Sequence, residues 1–170
     1  MQFPYRRVLV VGCGGSGKST LAGSMGERFS LPVVHLDKLW WLPGWIHREA
    51  EEFDGLLAVE LEKSKWIIDG NFVRTFPKRL EACDCCIFLD LDAKTCLESA
   101  HARAEEFRGR VRPDMTEGCE ECVRPEFEEW ILNFRETIRP EMFALMEKSG
   151  KPCFVFQTRE EAYDWMNSFE

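Results

Sequence analysis

The stretch that decides the reading is VLVVGCGGSGKSTLAG, Val8 to Gly23. Four branched aliphatic residues in a row read as a strand buried on both faces. A glycine-rich turn follows, and Lys18, Ser19 and Thr20 then open a helical pattern that runs to residue 28. The spacing Gly12-x-x-x-x-Gly17-Lys18-Ser19 is a phosphate-loop pattern. At ordinary residue frequencies a chain of this length meets it by chance about 0.6 % of the time, so a bare glycine turn is a poor account of it.

Each residue type in the loop has a reason. Gly12, Gly14, Gly15 and Gly17 let the backbone fold back, so that its N–H groups and Ser16 converge on phosphate oxygens. The following helix N-terminus adds a dipole that favours an anion. Lys18 can reach the β and γ phosphates, Ser19 can offer a hydroxyl to Mg²⁺, and Thr20 completes the run. The expected ligands are ATP and Mg²⁺.

Outward from the loop, short apolar runs alternate with helical spacing. Candidate strands are RVLVV (7–11), PVVHLD (32–37), WIIDG (66–70), CCIFLDL (85–91) and CFVFQ (153–157). Phe53, Leu56, Leu57 and Leu61 mark one helix, and Phe127, Trp130, Ile131, Phe134 and Ile138 another, which Pro140 should kink or end. Strands separated by helices call for parallel pairing and right-handed crossovers, hence a three-layer α/β sheet. Residues 1–170 read as a single domain. Only residues 107–125, polar and Arg-rich, lack apolar periodicity, and they are expected to form a mobile lid.

Composition narrows the function. The formal charge of −8 argues against direct nucleic-acid binding, which depends on neutralising phosphates. No apolar run is long enough for a membrane span, and the reading is a cytoplasmic protein. Eight cysteines include two CxxC pairs, Cys83/Cys86 and Cys119/Cys122. A four-thiolate zinc site is one reading; buried thiols in a strand plus a few exposed ones is the other.

Beyond the loop, HLDKLWWLPGW (35–45), WIIDGNF (66–72), RPDMTEGC (112–119) and Arg139-Pro140 give the chain a wider likeness. It resembles the small phosphotransferases of the adenylate-kinase-like branch, and within it the bacterial DNA topology modulation (FlaR-related) group. That resemblance implies the P-loop NTPase fold, a five-stranded parallel sheet of order 2-3-1-4-5, an arginine lid and kinase-like chemistry. It sets Asp69 beside the loop strand, as a holder of Mg²⁺ together with Ser19; Asp90 is its rival, and a simple Asp-Gly-Asn turn the plainer alternative. Arg103 matches the branch's catalytic lid arginine, with Arg108, Arg110 and Arg112 beyond it. Two departures bear on AMP as acceptor: Ser99 stands where adenine would be stacked, and Arg74 is one position away from the acceptor-phosphate arginine.

Asp37 either takes the proton of an acceptor hydroxyl or caps a helix. Trp40, Trp41 and Trp45 either stack on an aromatic acceptor or cover the sheet edge. Arg135 and Arg139 either face the site or pair at the surface. The expected activity is transfer of the γ-phosphoryl group of ATP to a small molecule, nucleosides and nucleotides being candidates. Lys18, Asp37, Arg103 and Arg108 are the expected catalytic residues. The alternative is an ATP-binding regulatory module with no small-molecule acceptor.

Overall fold

Val8, Leu9, Val10 and Val11 are wholly enclosed because their strand, β1 (Arg7–Gly12), is the middle one of five. The computed structural model describes residues 1–170. In chain order β1 leads to α1 (Lys18–Phe29), β2 (Val33–His35), α2 (Leu36–Trp40), a hairpin of β3 (Trp41–Leu42) and β4 (Ile46–His47), and α3 (Ala50–Leu61). Then come β5 (Trp66–Asp69), a 3₁₀ turn (Val73–Thr75), α4 (Phe76–Ala82), β6 (Cys85–Leu89) and α5 (Ala93–Glu106). The chain closes with α6 (Pro125–Thr137), α7 (Arg139–Ser149), β7 (Cys153–Phe156) and α8 (Arg159–Asn167).

The main sheet is parallel throughout and ordered β2-β5-β1-β6-β7. Counted without the hairpin strands this is the expected 2-3-1-4-5. Helices lie on both faces, which is why the central strands are continuous apolar runs. Residues Phe107 to Arg124 hold neither helix nor strand. No helix is long and apolar enough to cross a membrane.

Three local outcomes differ from, or decide between, the readings of the sequence. The strand expected to run to Asp37 stops at His35, where the ladder ends at the pair His35↔Asp69. Beyond it Gly70 turns with φ +127°, and the fully buried Leu36 packs on it so closely that a Cβ there would lie 2.8 Å from that side chain. Asp37 therefore falls in the first turn of α2, and His35, not Asp37, is the residue at the cap position.

The helix expected to kink or end at Pro140 does end, at Thr137, and Pro140 lies in the first turn of a new helix, α7, where a missing N–H is no loss. Asp90, just past β6, is the third. Its carboxylate takes Arg139 in a bidentate pair, Nε and Nη2 both at 2.8 Å, and Arg135 Nη2 at 3.4 Å. That hydrogen bond and charge raise the pKa of Arg139. Asp90 thus fastens the α6–α7 junction to the sheet, which removes it as a rival metal ligand and takes both arginines out of the site.

The loop after β5 is held from below by an unusual cation. Arg79 on α4 is fully buried and donates to the carbonyls of Gly70 (2.9 Å), Asn71 and Phe72 (3.1 Å) and to Thr75 Oγ1 (3.2 Å). Burial without a carboxylate among these partners lowers its pKa to about 10. Arg79→Leu should leave three carbonyls unpaired and lower stability by about 3 kcal/mol in urea unfolding. Arg79→Lys should rescue little, since one ammonium cannot span the fork; a loss below about 0.5 kcal/mol, ordinary for surface changes, would show that the carbonyls find other partners.

Candidate active site

The phosphate loop is built by backbone geometry. Gly15 and Gly17 adopt φ of +77° and +94°, and Gly17 is the N-cap of α1, so Lys18 is its first residue. A Cβ on Gly15 would stand 2.1 Å from the Cys96 carbonyl oxygen, and one on Gly14 2.5 Å from the Phe127 ring. The loop is pressed between α5 and α6. Lys18 Nζ lies 3.5 Å from the Cys13 carbonyl, folded back over the loop. Ser16 is fully buried and its Oγ has no hydrogen-bond partner. Gly15, Gly17 and Lys18 border one cleft at the N-terminus of α1, and that combination of turned backbone, helix end and ammonium fits an anion of phosphate size.

The end of β5 is tied to this loop. Asn71 accepts from the Gly12 N–H at 3.0 Å and donates to the Gly12 carbonyl at 2.6 Å. Two residues earlier, Asp69 is 1 % exposed and accepts from Ser19 Oγ at 3.3 Å. Its other oxygen meets His35 Nδ1. Burial pushes the pKa of His35 down, but the hydrogen bond and charge of Asp69, with Asp114, outweigh it and the net shift is upward. No three of the His, Cys, Asp and Glu side chains are grouped to hold a metal ion. A cation here would be held by Ser19 and through Asp69, with phosphate and water completing the shell.

Across from the loop stands a cluster of charges from the 107–124 segment and α5. Arg112 is 8 % exposed and pairs with Asp114 at 3.3 Å and with Glu121. Arg103 approaches Glu121 at 3.5 Å. Yet Arg103 Nε, Arg112 Nε and Glu121 Oε2 are buried without an aligned hydrogen bond. They are held by charge alone. Burial pushes the pKa of Asp37 up; the charges of Asp69 and Asp114 add to this, and those of Lys18 and Arg112 oppose it.

Two clefts open on either side of this cluster. One, about 550 Å³, includes Gly15, Gly17, Thr20, Ser99 and Arg159. The other, about 530 Å³, includes Asp37 and the rings of Trp40, Trp41, Trp45, Phe72 and Trp130. Lys18, Ser19, Arg103, Arg112 and Asp114 line both. The clefts meet there, at the carboxyl ends of the strands, where ligands of open α/β sheets bind.

The chain matches no family model and no curated protein. Solved structures are another matter. The chain is similar to shikimate kinase from Bacteroides thetaiotaomicron, with TM-score 0.57 and 15 % identity over 97 % of this chain and 96 % of that one. It is similar to shikimate kinase from Acinetobacter baumannii in complex with shikimate, with TM-score 0.60 and 13 % identity over 96 % and 89 %. A gluconokinase from Sinorhizobium meliloti gives TM-score 0.53 and 16 % identity over 98 % and 90 %. The fold is that of the P-loop kinases. At such identities the likeness speaks for the fold alone.

Of the residues singled out in the sequence, Lys18, Ser19, Asp37 and Arg103 come together with Arg112, and Asp69 lies against Ser19. Arg108 does not join them: it is exposed and paired with Glu105 at 2.5 Å. Arg110 lies over the Phe107 ring, 5.5 Å from its centroid, and Arg74 is locked to Asp54 by bonds of 2.6 and 2.8 Å on the outside. Of the cysteines, Cys83 and Cys86 are buried, Cys119 donates to the Leu42 carbonyl and Cys122 is exposed. Arg159 was not legible as a site residue. It donates to the carbonyls of Gly15 (2.6 Å) and Ser16 (2.9 Å) and to Ser99 Oγ (2.8 Å), so it braces the P-loop from α8. Its signal is weak: one arginine opening a helix after the last strand.

The 107–124 segment is docked on the tryptophan hairpin. Gly44 N–H donates to Gly118 O (3.0 Å), Thr116 Oγ1 to Trp41 O (2.7 Å) and Trp45 Nε1 to Glu120 O (3.2 Å), and Arg124 lies over the Trp45 ring. Combining Thr116→Val with Trp45→Phe removes two of these bonds without touching the core. Trypsin should then cut faster at Arg108 and Arg110, with Tm nearly unchanged. An unaltered cleavage rate would show that these bonds do not hold the segment down.

Proposed function

We propose that the protein is a kinase that moves the γ-phosphoryl group of ATP to the hydroxyl of a small acceptor. One observation carries this reading: two clefts share Lys18, Ser19, Arg103, Arg112 and Asp114, and the Asp37 carboxylate lines only the aromatic one. A binding module needs one cleft; a transferase needs two that meet. The P-loop side takes the triphosphate and the aromatic side the acceptor.

The roles follow from position. The loop amides and Lys18 bind the β and γ phosphates, with Arg159 keeping the loop in shape. Mg²⁺, held by Ser19 and through Asp69, would neutralise charge on the phosphate oxygens. Arg103 and Arg112, poorly hydrogen-bonded to Glu121, are poised to exchange it for the equatorial oxygens of the transferred group. The acceptor oxygen attacks the γ-phosphorus and gives its proton to Asp37, while the bond to the β-phosphate oxygen breaks and ADP leaves. A carboxyl whose pKa is raised by burial is the better base for that step.

The kinship proposed is with the adenylate-kinase-related branch and its DNA topology modulation group. The reading involves neither nucleic acid nor membrane, and its setting is the cytoplasm.

Lys18→Ala should abolish both ATP-dependent thermal stabilisation and transfer. Asp37→Asn should keep ATP affinity and lower kcat by about 10²–10⁴-fold. In the unmutated protein transfer should fall as pH drops through the raised pKa of Asp37, so the acid limb lies above the ordinary carboxylate range. Turnover by Asp37→Asn equal to that of the unmutated protein removes Asp37 from the mechanism. ATP binding with no transfer to any acceptor would favour a regulatory module instead.

A further inference from the structure

The aromatic cleft says more about its occupant than that it bears a hydroxyl. Its charged lining residues are Lys18, Arg103, Arg112 and Arg124 against Asp37, Asp114, Glu121 and Glu126. Lys18 belongs to the phosphate loop. Arg112 is paired with Asp114 and Glu121, and Arg103 with Glu121. Arg124 is exposed and stacked on Trp45.

The arginines nearest in the fold are equally committed: Arg74 to Asp54, Arg79 to three carbonyls, Arg135 and Arg139 to Asp90. No buried cation is left over to meet an acceptor's carboxylate or phosphate. Should the triphosphate draw Arg103 and Arg112 away, Asp114 and Glu121 would face the acceptor unpaired, which disfavours an anion further.

Apart from Met115 and Cys122, the apolar part of the lining is aromatic, and its rings come from three separate parts of the chain. Trp40, Trp41 and Trp45 stand on α2 and the hairpin, Phe72 on the loop after β5, and Phe127 and Trp130 on α6. Trp40 spends one face on His47, stacked at 4.9 Å. Trp41 and Trp45 meet edge to face at 5.2 Å and are only half-buried, which leaves ring surface for a ligand. A cavity of about 530 Å³ is ample for a small molecule.

We infer that the acceptor is an uncharged molecule with a flat aromatic body and a hydroxyl, of the nucleoside class, rather than a nucleoside monophosphate or a hydroxylated carboxylic acid. The inference rests on the reading of this cleft as the acceptor side. The rings take the base, and the carboxylates accept hydrogen bonds from hydroxyl and amino groups. The same carboxylates repel a phosphate or carboxylate, which narrows the choice by exclusion.

The test has two arms. In the first, the full chain with ATP and Mg²⁺ is offered nucleosides, their 5′-monophosphates, shikimate, gluconate and glycerol, with phosphorus NMR identifying products. A nucleoside should be phosphorylated with kcat/KM about 100-fold above its monophosphate, as several kcal/mol of like-charge repulsion would give. Preferred transfer to a monophosphate, shikimate, gluconate or glycerol overturns the inference and leaves the kinase reading standing.

In the second arm the Lys18→Ala protein, expected to be inactive, is titrated with the same compounds and its tryptophan fluorescence followed. Saturable quenching by a nucleoside, and not by the anions, is expected. Quenching without transfer in the unmutated protein would sink the kinase reading while upholding the ligand class. No quenching and no nucleoside product would overturn the ligand class itself.

Discussion

Two hydrogen bonds between the Asn71 amide and the Gly12 peptide set the geometry on which the site depends. They join the end of β5 to the start of the P-loop, so that a shift of either strand end is felt by both. Asp69 is thereby placed against Ser19; Asn71 meets both Gly12 groups because its amide carries an acceptor oxygen and a donor nitrogen side by side, whereas an aspartate could only accept. The loop that carries Asn71 would not hold this shape alone: Gly70 has a positive φ, Phe72 is left-handed at φ 33°, and their carbonyls point inward. Arg79 answers those carbonyls from α4. A buried cation with no carboxylate partner is costly, and it is tolerated because its fork meets backbone dipoles that would otherwise be unpaired. The chain of dependence thus runs from α4 through the 70–72 turn to the phosphate loop.

A second constraint is electrostatic. Within the crevice Lys18, Arg103 and Arg112 face Asp37, Asp69, Asp114 and Glu121. Burial, with the charges of Asp69 and Asp114 added, raises the pKa of Asp37, while Arg112 is near enough to hold that of Asp114 down in spite of burial. One acid is made a better proton acceptor and another a fixed anion by neighbours a few residues apart. The Asp90 carboxylate, more deeply buried than either, is given two arginines and becomes structural. Environment, not residue type, separates these roles.

These assignments also mark where the sequence was legible. The P-loop, the parallel sheet and the single unpatterned segment were readable because each is local: a spacing, a run of branched residues, a lack of period; the strand order is not local, and only the family resemblance implied it. The position of Asp69 beside the loop strand followed from that implied order, and β5 does pair with β1. The failures concern long-range contacts. Whether Asp37 ends a strand or sits in a helix depends on Leu36 packing over Gly70, a contact that no window of sequence contains. Arg108 and Arg112 look alike in RGRVR, yet one pairs with a neighbour in α5 and the other is buried against Glu121. Arg79 and Arg159 carry no pattern at all, since their partners are backbone carbonyls, and every residue has one of those.

The tryptophan hairpin links the two constraints. Its backbone carbonyls at Trp41 and Leu42 hold the 107–124 segment, and that segment carries Arg112, Asp114 and Glu121. The side chain of Glu121 is 3 % exposed, so its charge is stable only while an arginine or a hydrogen-bond donor stays beside it. On the proposed kinase reading, phosphate would draw Arg112 and Arg103 off and a donor would have to take their place; of the two clefts, the aromatic one alone is lined by Glu121. An acceptor hydroxyl or amino group there would lower the cost of releasing the arginines. By linkage the donor nucleotide would then raise the affinity for the acceptor by the same factor. On that reading the buried ion pairs would let one cleft sense the other, and their poor hydrogen-bond geometry would make the exchange cheap.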